Sequence, residues 1–418
     1  MGSVNPPSQI ERVVTIVLLL LSTGAFLNLF LGRSFNPTAG LPFMEVIWVA
    51  LYLCVLFLLI TQGENVWAVL LKGWPFLLLL TVALLSIAWS DVPRLTTRRS
   101  LGLLATTMAG LYIAVRFSFA EQLKLLMPVF KISIVLSFIF GVLHLGRSVD
   151  SLDLLSHTST PPWYGIFTQR NALGMTMALS ALAFLQWSYI QSEEKWSAYF
   201  WALLSFILIL LSRSMTGLLG LCLVLLFLLF LRHLRLHPAT VWRAVLAGIL
   251  AVGVGVAYAA SHLQTVVALV DRDVTLSGRT TIWGAAVLMG MDRPWIGHGF
   301  NAFWLGDVGP SGEVRRVAGW DVPGAHNGFL EIWLDLGLVG LALFWLGFVR
   351  HAWKSMRCFR REFSWEEAWP LACLALLFLI NLTQSALLSP NYIFWILYVT
   401  ISYRVSMITG KRPEEGAP

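Results

Sequence analysis

Long runs without a charged side chain recur along this chain, and they limit its fold more than any other feature. Val46 to Ile60 and Leu218 to Leu231 are two such runs. A helix that crosses a bilayer needs about 20 mostly apolar residues. Twelve segments answer that description: roughly 10–31, 41–61, 66–89, 100–117, 122–146, 171–190, 196–212, 215–232, 241–262, 327–349, 368–388 and 390–408. Only 12% of the 418 residues are charged, 57% are hydrophobic and the mean hydropathy is +0.75. A soluble domain carries about 25% charge, so the expected fold is an all-α polytopic membrane protein. Its expected parts are helices 1–9 over 1–262, a long loop with short interfacial helices over 263–326, helices 10–12 over 327–408 and a tail over 409–418.

Charge placement orients the chain. With a cytoplasmic N-terminus, Arg232, Arg235, Arg350, Lys354, Arg357, Arg360 and Arg361 fall in inner loops, as the positive-inside rule requires. The first apolar stretch lacks a separate signal-peptide h-region and cleavage site and reads as a retained helix. The net charge of +7 is spread over both sides, so nucleic acid is not implied. Cys54, Cys222, Cys358 and Cys373 have no CxxC spacing and read as reduced packing residues.

In this topology the outer loops hold many arginines and no lysine, whereas all six lysines fall in inner loops, the tail or the inner half of the fifth helix. A guanidinium presents a planar fork of donors that grips phosphate bidentately and stays ionised beside an apolar surface. Four arginines are the strongest candidates: Arg170 after Thr168-Gln169, Arg213 in Ser212-Arg213-Ser214, and Arg272 and Arg279 on either side of Val274-Thr275-Leu276-Ser277-Gly278. They come from three loops of one side, Arg272 and Arg279 sharing the longest. Trp283, Val287 and Leu288 read as the apolar stripe of a short interfacial helix that ends before Arg293-Pro294.

His326-Asn327-Gly328 opens the tenth span, and Glu331 and Asp335 follow at helical spacing on the face of Asn327. A central Asp costs about 2.5–3.5 kcal/mol on insertion scales, so intramembrane carboxylates point to function. Here they are expected to bind an acceptor or to order an outer arginine. His298 reads as a turn residue. Asp271-Arg272-Asp273 is a weak match to the DxD metal motif, and no P-loop, HExxH or GxSxG is present.

Three segments carry a resemblance: Arg272 to Trp283, Arg293-Pro294-Trp295-Ile296-Gly297-His298-Gly299, and His326-Asn327 followed after nine residues by Gly337-x-x-Gly340. In these the chain resembles the O-antigen ligase and Wzy-type polysaccharide polymerase superfamily, and within it the exopolysaccharide-production, ExoQ-like branch. Weaker similarity reaches Arg170-Asn171, Arg213 and Asn381 to Trp395. The resemblance implies about twelve spans with a large periplasmic loop between the ninth and tenth. It implies an inner-membrane, metal-independent inverting glycosyltransferase without a cofactor. The substrate would be an undecaprenyl diphosphate-linked oligosaccharide, with a flippase and a chain-length regulator as partners beside the membrane lipid. It gives His326 the place of general base or orienting group and Arg279, with Arg213, Arg170 and Arg272, that of a diphosphate clamp. Polymerase and ligase differ only in acceptor. A lipid-linked glycan transporter is the rival from another class.

Overall fold

The computed structural model describes residues 6–25, 42–61, 65–145, 161–236, 278–362 and 364–409. The expected span 241–262, the first part of the long loop, Asp271-Arg272-Asp273 and the tail lie outside these residues. The fold is all-α. Among the described residues six helices are long and apolar enough to cross a membrane, or seven with one bent pair. Of the five remaining expected spans, one lies outside the described residues and four fall short for a physical reason. α1 (Gln9–Ser22), α13 (Trp365–Asn381) and α14 (Ile393–Ile408) are 14, 17 and 16 residues long. α5 (Pro93–Arg116) has the length but carries Arg94, Arg98, Arg99 and Arg116.

Local chemistry sets the helix limits. Ser8 with Glu11 and Ser118 with Glu121 form capping boxes at the starts of α1 and α6 (Phe119–Val142). Between α3 (Asn65–Lys72) and α4 (Trp74–Leu85) the chain bends by 81° at Gly73. A Cβ at Gly73 would lie 2.2 Å from the Tyr403 ring, so the bend is where α14 packs. α8 (Lys195–Ser212) ends on Arg213 in the left-handed region, and α9 (Met215–Leu236) starts at once. α9 lies against α7 (Arg170–Ile190) so closely that a Cβ on Gly217 would come 2.4 Å from the Gly174 carbonyl oxygen. Small residues let membrane helices approach in this way.

One large apolar core joins α1, α4 to α9, α13 and α14, with Trp369, Trp395 and Tyr398 fully buried in it. The outer faces stay apolar too: Phe57 is 66% and Leu229 60% exposed, as lipid contact requires. A second, smaller core of Ile282, Phe303, Val314, Val322 and Leu334 joins α10 (Arg279–Gly290) and α11 (Gly309–Ala318) to the first turns of α12 (Gly328–Glu362). These two short helices and the turns between them form a cap over one end of the bundle. The buried face of α10 is Ile282, Ala285 and Ala286, and the expected stripe is displaced, because Val287 and Leu288 are 38% and 68% exposed.

The cap is fastened in two places. Asp91 receives Arg293 at 3.0 Å and His298 Nδ1 at 3.1 Å, while the Trp89 indole donates to the Ile296 carbonyl and the Phe300 amide to Ser86 Oγ. His298 is thus a buried latch rather than a plain turn residue. The second fastening enters α12 itself, whose helical geometry breaks at Gly337 (φ 66°). Leu338 and Val339 amides donate to the Pro294 and Trp295 carbonyls, and His298 and Gly299 amides donate to those of Leu334 and Asp335. The loop supplies the partners that the broken helix lacks. Backbone that is irregular at membrane depth survives only when protein or a cavity satisfies it.

Candidate active site

The start of α12 is built around one tight turn. His326 has φ 50°, a region that most non-glycine residues avoid. Five hydrogen bonds hold it there. The Ala325 amide donates to Glu331 Oε1 at 2.6 Å, and the Trp283 indole donates to the Ala325 carbonyl at 2.7 Å. Asn327 Oδ1 accepts the amides of Phe329 and Leu330, and the Gly328 amide donates to the Gln384 carbonyl at 3.0 Å. Asn327 is therefore the cap of α12, satisfying amides that a helix start leaves open. Gly328 is required because a Cβ there would lie 2.1 Å from Asn381 Oδ1, which already accepts from the Ala386 and Leu387 amides.

His326 lines a cavity of about 300 Å³ together with Glu331, Asp335, Arg99, Gln169 and Gln384. Its Nδ1 is 3.4 Å from Gln384 Oε1. Burial and the positive charge of Arg279 hold its pKa below the ordinary 6.5, with the Gln384 contact pulling weakly the other way. The ring is neutral at pH 7 and able to take up a proton.

Glu331 is fully engaged. One oxygen accepts the Ala325 amide and the Ser385 hydroxyl, and the other accepts the Trp304 indole at 2.6 Å. Its partners are an amide, a hydroxyl and an indole, whereas the outer arginine of the ordering alternative, Arg99, acts on Asp335. Asp335 is 7% exposed; it accepts amides of Asn301 and Phe303 and faces the charge of Arg99, while its Oδ1 has no hydrogen-bond partner. Arg99 also reaches the Asn301 carbonyl at 2.5 Å.

Arg170 opens α7 and Arg213 stands between α8 and α9. The Ser214 hydroxyl donates to Asn171 Oδ1 at 3.1 Å, which joins the two arginine turns side by side. Thr216 and Thr383 hydroxyls meet at 2.8 Å, one residue from Gln384. These contacts join the turns that carry Arg170 and Arg213 to each other and to the Thr383-Gln384 turn beside His326, while Arg170, Arg213 and Arg279 stand outside the cavity lining itself. Of the expected site residues, Arg272 alone lies outside the described ones. Among the described residues no three of His, Cys, Asp and Glu gather as metal ligands.

Three site residues are not marked by any motif in the sequence: Arg99 is one outer arginine among many, Trp304 is one of 19 tryptophans, and Gln384 is an amide in a weakly matching stretch. Only the fold brings them to His326.

The fold and this site define a polytopic membrane protein whose cap, broken helix and buried imidazole enclose a polar cavity at one end of the bundle. Residues 200–345 match the family model described as O-antigen ligase. Over 76% of this chain and 74% of the relative, the sequence is 25% identical to the exopolysaccharide production protein ExoQ of Rhizobium meliloti (strain 1021). Both likenesses support the O-antigen ligase/ExoQ-like family for this chain, and with it a membrane polysaccharide-related ligase or polymerase. The matched stretch holds Arg213, Arg279, His326, Glu331 and Asp335, whereas Arg99 and Arg170 precede it.

Proposed function

We infer that the chain transfers a glycan from an undecaprenyl diphosphate carrier to a sugar hydroxyl, on the periplasmic side of a bacterial inner membrane. The observation that carries this reading is the buried His326, its pKa lowered by burial and by the charge of Arg279, on a polar cavity that it shares with Arg99, Glu331 and Asp335. Attack on the anomeric carbon forms a new C–O bond, breaks the bond to the diphosphate and leaves the electron pair on the departing oxygen. Fixed guanidinium groups stabilise that oxygen, and such donors are worth about 2.7–4 kcal/mol each in other enzymes. The proton of the attacking hydroxyl goes to the imidazole. With Nδ1–H directed at Gln384 Oε1, the Nε2 lone pair is left to receive it. Asp335 Oδ1 supplies an acceptor for a further hydroxyl of the incoming sugar.

The acceptor is a second lipid-linked repeat unit, which makes the reaction a polymerisation; the name of the ExoQ relative supports that choice. The family description favours a second reading, in which a terminal acceptor such as lipid A-core takes the chain. Purified protein incubated with a lipid-linked repeat unit alone separates them. A glycan ladder supports polymerisation, and transfer only when a terminal acceptor is added assigns the ligase reaction. Movement of the lipid across a liposome without a new glycosidic bond would reject both. A flippase and a chain-length regulator are the partners this reading expects.

A further inference from the structure

A second cavity lies at the other end of the bundle and belongs to no part of the candidate active site. It has a volume of about 350 Å³ and is walled by α1, α6, α7 and α8. Gln169 and Trp187 mark the two ends of α7, so the cavity and the active site are about 25 Å apart along that helix. Arg12, Lys124 and Lys131 line it, with Met127, Phe184 and Trp201 supplying apolar surface.

Two features of α6 make this an anion site rather than a packing gap. First, Lys131 lies about 18 Å from the start of a helix about 36 Å long, close to mid-depth. An ammonium there is costly unless it has a partner. Lys131 stands 5.6 Å over the Trp201 ring, and among the described residues no carboxylate pairs with it or with Lys124. Of the carboxylates nearby, Glu121 pairs with Arg12 and Glu11 with Arg116, while Glu194, which lines the cleft, accepts the Trp187 indole. Second, Lys124 and Lys131 are seven residues apart and share one helix stripe, with Pro128 between them in the wall. Positive charge runs down the cleft beside an apolar floor.

We propose that this cleft binds an anionic phospholipid, its phosphate held by Arg12, Lys124 and Lys131 and its acyl chain lying along Met127, Phe184 and Trp201. A basic pocket between transmembrane helices is the recognised physical form of a headgroup site. The aromatic floor and the depth of Lys131 favour a phosphate with an apolar tail over a free anion. This site does not rest on the glycan-transfer reading.

Native mass spectrometry of the full chain in detergent, titrated with phosphatidylglycerol or phosphatidylcholine, tests it. The expected result is saturable phosphatidylglycerol binding that phosphatidylcholine does not match. Lys124→Gln with Lys131→Gln should weaken it about 30-fold, whereas Lys131→Arg and the outlying Lys195→Gln leave it unchanged. Equal binding of both lipids, or unchanged binding by the double variant, overturns the proposal. Displacement by excess inorganic phosphate would assign the cleft to a free anion and overturn it too. A photo-crosslinking phosphatidylglycerol on the native chain gives a readout independent of variant folding: label is expected in peptides of α6 and α8, and label confined to other helices contradicts the assignment.

Discussion

Gly337 and Trp295 interlock: a Cβ on Gly337 would come 2.1 Å from the Trp295 carbonyl carbon. The reverse closeness holds two residues on, where a Cβ on Gly297 would lie 2.4 Å from the Asp335 carbonyl. Each backbone fills the space that the other's missing side chain leaves. The break in α12 and the turn at 294–299 are therefore one structural unit, and that unit sets the height of Asp335 and Glu331 beneath His326.

Gly337→Ala is accordingly expected to be severe. It adds a contact with backbone that has no room to move, and it places a side chain at φ 66°. The strained conformation alone costs about 1–3 kcal/mol, before the clash. Gly284→Ala is the matched control: it is helical, and nothing lies within 4 Å of the new Cβ. That change should be neutral or stabilising by about 0.5–1 kcal/mol. Thermal unfolding of the two variants in detergent checks the contrast, and a mild effect at Gly337 would reject the interlock.

His326 sets the expected pH dependence. Burial and Arg279 lower its pKa below 6.5, so the proton-accepting form persists at pH values where an ordinary histidine is already protonated. Turnover should stay flat as pH falls through 6.5 and decline only below it. Arg279→Lys keeps the charge and should keep that limb in place, whereas Arg279→Gln removes the repulsion and should move the limb of any residual activity to higher pH. A wild-type limb above 6.5 would contradict the assignment.

Glu331→Ala removes the acceptor for the Ala325 amide and the Trp304 indole. The turn that carries His326 then loses one of its five hydrogen bonds. Misplacement of a reacting group by 1 Å costs about 100-fold in rate, and that is the expected fall in kcat. Carrier affinity should change little, because Glu331 touches none of the candidate diphosphate arginines in this structure. An equal loss of carrier binding would show that Glu331 acts on the diphosphate instead.

Sidedness can be read by cysteine labelling of intact spheroplasts. The natural choice in the long loop, Ser311, is fully buried and hydrogen-bonded to Gly306 and Val308, so it is a poor reporter. Asp307 is 85% exposed and Ser192 lies exposed at the far end of α7. Asp307→Cys should label from outside and Ser192→Cys should not. The opposite pattern would reject a periplasmic site.

Much of this architecture was legible in the sequence, for identifiable reasons. The apolar runs gave helices near the expected positions, since lipid exposure leaves them no polar residues to hide. The spacing of Glu331 and Asp335 placed both on the cavity face of α12. Other features were not legible. Asn327 carries a functional residue type, yet its oxygen caps a helix, and only coordinates separate those uses. Arg99 and Gln384 are far from His326 in sequence, and no local pattern reports that α5 and the α13–α14 turn meet there. The bend at Gly73 and the break at Gly337 were equally hidden, because each depends on what packs against the glycine.

The most direct test is a glycan assay with purified protein and a polyprenyl diphosphate-linked repeat unit, comparing the native chain with His326→Ala and Arg279→Ala. The account predicts product from the native chain and none from either variant, with His326→Ala still retaining the lipid-linked substrate. Full turnover by His326→Ala would contradict it.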